Sequence, residues 1–136
     1  MSSILSIAVS GISAASGRLQ DSASNVANAN SDGPLPSADP AIQAEYPAAY
    51  VPQEVHQVET AGGGTKAVSS NVQPGTVPAY NPTAPYADQN GMVAEPNVNY
   101  TTEAIQQLTA RYDFVFNVYV ARVYSRLMKT VVDIQT

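Results

Sequence analysis

From Thr101 to Ile134 the chain carries one apolar stripe: Ile105, Leu108, Tyr112, Val115, Tyr119, Val123, Leu127, Val131 and Ile134 recur three or four residues apart. That spacing places them on a single face of an α-helix. Neither proline nor glycine interrupts it, and the Thr101-Thr102 pair is the expected N-cap. Such a helix runs roughly 50 Å at about 1.5 Å per residue. A domain of this size cannot surround it, so the stripe needs another long helix, or copies of itself, as cover.

Residues 3–31 supply a second helical pattern. Leu5, Ile12, Leu19 and Val26 are spaced by seven, with Ala8, Ala15, Ser22 and Ala29 three residues after each. This is a coiled-coil-like seam in which large positions alternate with small ones, and the small ones let a partner approach closely. Propensity opposes the pattern, because Ser, Asn, Gly11 and Gly17 fill the remaining positions. The helix is therefore expected to be marginal alone and ordered once packed. Two readings stay open: a helix pair within one domain, or a segment that folds on assembly.

All ten prolines fall between Pro34 and Pro96, which rules out helices running through that interval. Asp32 to Pro52 reads as irregular, extended chain. Gln53 to Thr60, Gly62-Gly63-Gly64 and Thr65 to Val72 read as a β-hairpin with a loose glycine turn. Pro74 to Pro85 is again irregular, Asp88-Gln89-Asn90-Gly91 carries turn chemistry, and Met92 to Val98 is extended. The expected fold is mainly α. Long terminal helices (1–31 and 101–136) pair as a coiled coil around a proline-rich middle (32–100) with its hairpin at about 53–72. So short a hairpin buries little, so the middle should lean on the helices or on neighbouring subunits.

Charge changes the picture only in the middle. Of the net charge of −5, residues 32–100 hold seven acids against Lys66 alone, while both ends are close to neutral. Six basic residues cannot build a phosphate-tracking surface, so nucleic acid is not the expected partner. Cysteine is absent, which removes disulfides and thiolate metal sites. No window has the ~18 consecutive apolar residues of a membrane span, and direct insertion is not expected. Met1 to Val9 lacks a basic leader region, so the expectation is transit without a cleaved signal.

The search for chemistry finds little. His56, the only histidine, has no clustered ligands and reads as a solvent-facing strand residue. Gly62 to Lys66 lacks the spacing of a phosphate loop and reads as a turn. No serine lies in a nucleophile elbow, and Glu54 and Glu59 have no evident cause for a raised pKa. No catalytic residue, cofactor site or metal site is expected. Arg122, Arg126 and Lys129 form a basic stripe near the end of the second helix. It reads either as a solvated face complementing the helix dipole or as a partner for the acidic middle of a neighbour.

The two ends resemble a known family. Ser10-Gly11-Ile12-Ser13-Ala14, Arg18-Leu19 and Ala23-Ser24-Asn25-Val26-Ala27-Asn28-Ala29-Asn30-Ser31 resemble the N-terminal motif of bacterial flagellar axial proteins, which closes in A-x-N-[LI]-A-N-A-x-[ST]. Pro85, Ala87-Asp88, Gly91-Met92-Val93 and Pro96-Asn97-Val98-Asn99 resemble the run before the C-terminal helix of FlgC-type proximal rod proteins. Asn117-Val118 and Leu127-Met128-Lys129-Thr130 also suit that helix. The chain departs from the pattern at Phe114-Val115-Phe116, at Arg111-Tyr112 and at Tyr50-Val51-Pro52, as a divergent member would.

The resemblance implies a structural subunit of the basal-body rod, exported by the flagellar type III apparatus and polymerised into a helical tube that transmits torque around the export channel. It implies a periplasm-spanning location and, as partners, copies of itself, other axial rod proteins and the export apparatus, with the membrane-embedded ring base as a further expectation. The expected assembly interface is Leu5, Ile12, Leu19 and Val26 against Ile105, Leu108, Tyr112, Val115, Tyr119, Val123 and Leu127. Its motif residues would be Asn25, Ala27, Asn28, Ala29, Pro96, Asn97 and Val98. The competing expectation is a soluble coiled-coil adaptor of the export system.

Overall fold

The computed structural model describes residues 4–134; Ser3, at the expected start of the first helix, and the side chain of Ile134 lie outside the described residues. Two long helices dominate, and about half the chain is helical: α1 spans Ile4–Ala27 and α3 spans Tyr100–Ile134. Between them come a short helix α2, Pro40–Glu45, and four strands: β1, Gln53–Glu59; β2, Thr65–Asn71; β3, Thr76–Tyr80; and β4, Met92–Pro96.

α1 stops at Ala27 rather than at residue 31, and its asparagines explain why. Asn28 turns its side chain back, Nδ2 donating to Ser24 O at 2.9 Å, and Ser31 N donates to Asn28 O at 3.0 Å. A side chain that bonds the preceding turn competes with continued helix. α3 begins one residue before the threonine pair. Asn99 is the cap: its Oδ1 accepts from Thr102 N at 3.0 Å, and its carbonyl accepts from Glu103 N at 2.9 Å.

α1 and α3 lie side by side in opposite directions. Gly11 faces Asn117, Arg18 bonds Asp113, and Ser22 Oγ donates to Glu103 O at 3.1 Å, so the numbering rises on one helix as it falls on the other. β1 and β2 form the expected antiparallel hairpin, Gln53 opposite Asn71 and Glu59 opposite Thr65. It leans along α1: Thr65 N donates to Ser10 Oγ at 3.1 Å, and Ala67 lies against Gly17. Gly63 and Gly64 take positive φ at its tip, a conformation open to residues without a Cβ.

The middle holds more structure than its prolines suggest. α2 starts on Asp39, whose Oδ1 accepts from Ala41 N at 2.8 Å, with Pro40 in the first helical turn. β3 pairs antiparallel with β4, Thr76 opposite Pro96 and Tyr80 opposite Met92, and the loop between them closes on Asp88. The Met92 and Asn90 amides donate to the Asp88 carboxylate at 2.8 Å, and these bonds, Met92 foremost, hold it below the usual aspartate range. Gly33 bridges to Ala94 and attaches the strand pair to the chain leaving α1. α2, β3, β4 and their loops form a lobe at the start of α3.

The buried apolar set is small in every sense: Ala8, Ala14, Ala15, Ala29, Val93, Ala94 and Ala110. Alanine dominates because the two helices approach closely. A larger residue at those positions would force them apart.

Candidate assembly interface

The contact between α1 and α3 uses the small and polar positions of both helices. On α1 these are Ala8, Ala15, Ser22 and Asn25, all buried. On α3 they are Glu103, Gln107, Ala110, Asp113, Asn117 and Ala121, which with Val118 and Tyr124 are the residues of that helix that are not exposed. Gly11 permits the closest approach, since a Cβ there would fall 2.6 Å from Asn117 Cγ. Asn117 is itself fixed, its Nδ2 donating to Asp113 O at 2.7 Å. Beside it Arg18 Nη1 and Asp113 Oδ2 form an ion pair at 2.8 Å.

The large apolar positions therefore do not close on each other within the chain. Leu5 is 39% exposed, Leu19 45%, Ile105 59% and Tyr119 66%. Val26, Leu108, Tyr112, Val115, Val123 and Leu127 are likewise exposed, and Ile12 is half-buried. As a pairing inside one molecule, the expected seam is corrected. Periodicity marked the most apolar face of each helix, whereas close approach required the smallest. Leu19, Leu108 and Val115 do line one open groove of about 710 Å³, together with Ala15, Ala23 and Ala110.

Five of the seven family-motif residues have identifiable work, while Ala27 is exposed and Val98 half-buried. Asn25 is 1% exposed and satisfies its whole amide. Nδ2 donates to Gln53 O at 2.7 Å and Glu103 Oε1 at 2.9 Å, while Oδ1 accepts from Gln53 N at 2.9 Å and Tyr50 Oη at 3.0 Å. One side chain thus ties the end of α1 to β1, to Tyr50 and to the start of α3. Burial, then the charges of Asp21 and Glu103, push the Tyr50 hydroxyl above the ordinary phenol range. Asn28 closes α1, and Ala29 is buried behind it. Pro96 is buried at the end of β4, and Asn97 Nδ2 donates to Pro74 O at 2.9 Å. Gly11, Tyr50, Glu103 and Asn117 were not expected as joints. A glycine and an asparagine in otherwise good helical patterns were the only signals available.

His56 is exposed on β1, with Nε2 at 3.3 Å from Glu54 Oε1. Among the described residues no group of His, Cys, Asp or Glu could hold a metal ion, and no helix is long and apolar enough to cross a membrane. Arg122, Arg126 and Lys129 are exposed, but the last turn of α3 carries no basic side chain, so the stripe does not sit on the dipole end.

This arrangement defines a class: a helix-pair protein joined through small residues, with its large apolar positions on the outside. No family model matches the chain. The flagellar basal-body rod protein FlgC of Agrobacterium fabrum is 33% identical over 135 residues, covering 98% of this chain and 94% of that protein. The protein of the same name from Yersinia enterocolitica is 35% identical over 126 residues, covering 92% and 90%. The chain belongs to the FlgC family of flagellar basal-body rod proteins, as a divergent member. It is a structural protein and not an enzyme.

Proposed function

We propose that the chain is a subunit of the proximal rod, polymerised into a helical tube that transmits torque and surrounds the export channel. The observation that carries this reading is the outward placement of the large apolar side chains on both long helices. Exposed apolar ridges of this extent mark interaction surfaces. We assign Leu5, Ile12, Leu19 and Val26, with Ile105, Leu108, Tyr112, Val115, Tyr119, Val123 and Leu127, to contacts between subunits. There the terminal helices pack in coiled-coil fashion against those of neighbours. Contacts between unlike surfaces whose rotation does not close into a ring generate a helical assembly.

An alanine core and a chain without cysteine also suit export as an unfolded polymer through the flagellar type III apparatus. Its partners are then copies of itself, other axial rod proteins, the export apparatus and the membrane-embedded ring base, in a rod that spans the periplasm. Leu19→Asp and Val123→Asp test the assignment in motile cells. Each should abolish rods and swimming while the subunit is still exported. Rods built from either variant would show that the ridges are not the interface.

A further inference from the structure

Asn90 is the only asparagine of the chain that is followed by glycine. Glycine has no Cβ, so in a free peptide nothing shields the asparagine side-chain amide from the next backbone nitrogen. Asn90 is exposed, at the tip of the loop that leads into β4. Sequence and exposure together make it a site of self-modification, unless the backbone around it is held.

The lobe holds it. Asn90 N donates to Asp88 Oδ1 at 2.8 Å, and Gly91 N donates to the Asp88 carbonyl at 2.9 Å. Both peptide groups flanking the Asn90 Cα are thereby fixed, and the proton of the Gly91 nitrogen is engaged. Met92 N donates to Asp88 Oδ1 at 2.8 Å, and Asn81 N donates to Gly91 O at 2.9 Å, which tie down the far side. Gly91 is also buried, with φ +76°, and a Cβ there would fall 2.9 Å from Tyr80 Cε2. Its peptide has no room to swing toward the Asn90 side chain.

We propose that Asn90 is a deamidation and isomerisation site that the Asp88 turn keeps closed in the folded lobe and that unfolding opens. In the open chain the Gly91 nitrogen loses its proton and bonds to Asn90 Cγ. The Cγ–Nδ2 bond breaks, and Nδ2 takes up a proton and leaves as ammonia. Water then opens the cyclic imide. Cleavage between Gly91 N and Cγ leaves aspartate, whereas cleavage at the main-chain carbonyl leaves isoaspartate, in which the chain continues through Cβ and Cγ. No electrons are exchanged, and water is the only co-reactant. Isoaspartate lengthens the backbone by one carbon and sets a carboxylate beside that of Asp88. The lengthened turn no longer presents the Asn90, Gly91 and Met92 amides to Asp88 together, so the modified lobe does not reclose. A chain exported unfolded meets this hazard before its lobe closes, but the chemistry does not depend on that reading.

Mass spectrometry of the full chain tests it, reading the mass gain of amide turned to acid and placing it at Asn90 by fragmentation. The chain is held at mildly alkaline pH, either in buffer or unfolded in guanidinium. Hydrogen-exchange protection of the Gly33 and Ala94 amides, which bridge to each other, confirms that the lobe is closed in buffer. Conversion should run at least about tenfold faster in guanidinium, because it then needs no local opening. Gly91→Ala should slow it in guanidinium, where only the added side chain matters. In buffer, Asp88→Ala should lose most of the protection, while Asp88→Asn, which keeps an accepting oxygen, should retain it. Equal rates in buffer and guanidinium overturn the closed site, and so does an Asp88→Asn chain that converts as fast as Asp88→Ala. A rate in guanidinium indifferent to Gly91→Ala overturns the ring chemistry.

Discussion

Asn25 Nδ2 donates to Glu103 Oε1 at 2.9 Å, joining the end of α1 to the first turn of α3. The same amide holds the backbone N–H and C=O of Gln53 and the Tyr50 hydroxyl, so three segments distant in sequence depend on one buried side chain. Asn25→Leu has a similar volume but leaves those partners buried and unmet. The expected cost is about 3 kcal/mol, from a desolvation penalty of about 1–3 kcal/mol for each stranded group. The urea midpoint for loss of helix in the assembled protein measures it. A change near zero would mean that the junction is held by packing alone.

The contact of Gly11 with Asn117 predicts a paired effect. Gly11→Ala pushes a methyl into the Asn117 amide, which is tethered to Asp113 and cannot swing away without losing that bond. Overpacking of this kind costs about 1–3 kcal/mol. Asn117→Ala should make room, so the double variant should recover most of the loss in a double-mutant cycle. Additive losses would place the Gly11 requirement elsewhere.

Which features of this fold could be read from the sequence follows from what periodicity encodes. The long terminal helix was legible because no proline or glycine breaks Thr101 to Ile134. The β1–β2 hairpin was legible from alternation around Val55 and the run Gly62-Gly63-Gly64. The face that α3 turns to α1 was not. Apolar spacing ranks faces by hydrophobicity, and it cannot say whether the best face is covered by the same molecule or another. Here Ala110, Asp113 and Asn117 face inward because Gly11, Ala15 and Ser22 bring the helices close. α2 was missed although Asp39-Pro40 is a helix-start signal, its six residues being too few to show a period. β3 was missed because Pro78 lies within it opposite Ala94, tolerable only in a two-stranded sheet whose outer edge needs no donor.

Tyr50 sets an alkaline limit. Its hydroxyl donates to Asn25 Oδ1 at 3.0 Å, and burial with the nearby charges of Asp21 and Glu103 raises its pKa from the ordinary 10.0. A raised folded value means that the fold favours the protonated phenol. That contribution is complete below the unfolded value, about 10, and is lost as pH climbs through the folded one. Ultraviolet titration of the assembled protein should show a tyrosine step above the ordinary phenol range. Tyr50→Phe should remove that step and flatten the alkaline loss of stability. Persistence of the step in the variant would assign it to another tyrosine.

The alanine core makes a last prediction about the single molecule. Among the described residues Val93 and Pro52 are the largest apolar side chains that are fully buried, and the ridges that could stabilise the helices lie outside. Helix stability comes mostly from packing an apolar face, so α1 and α3 gain it chiefly when neighbours cover them. Folding linked to association depends on concentration, because anything that binds only the folded form shifts the balance toward it. Far-ultraviolet circular dichroism of the purified chain should therefore show helical signal that rises with protein concentration. Leu19→Asp should hold the signal low at every concentration tested. A self-sufficient adaptor would instead be fully helical when dilute and unaffected by the substitution, and that result would remove the physical basis for a subunit completed by its neighbours.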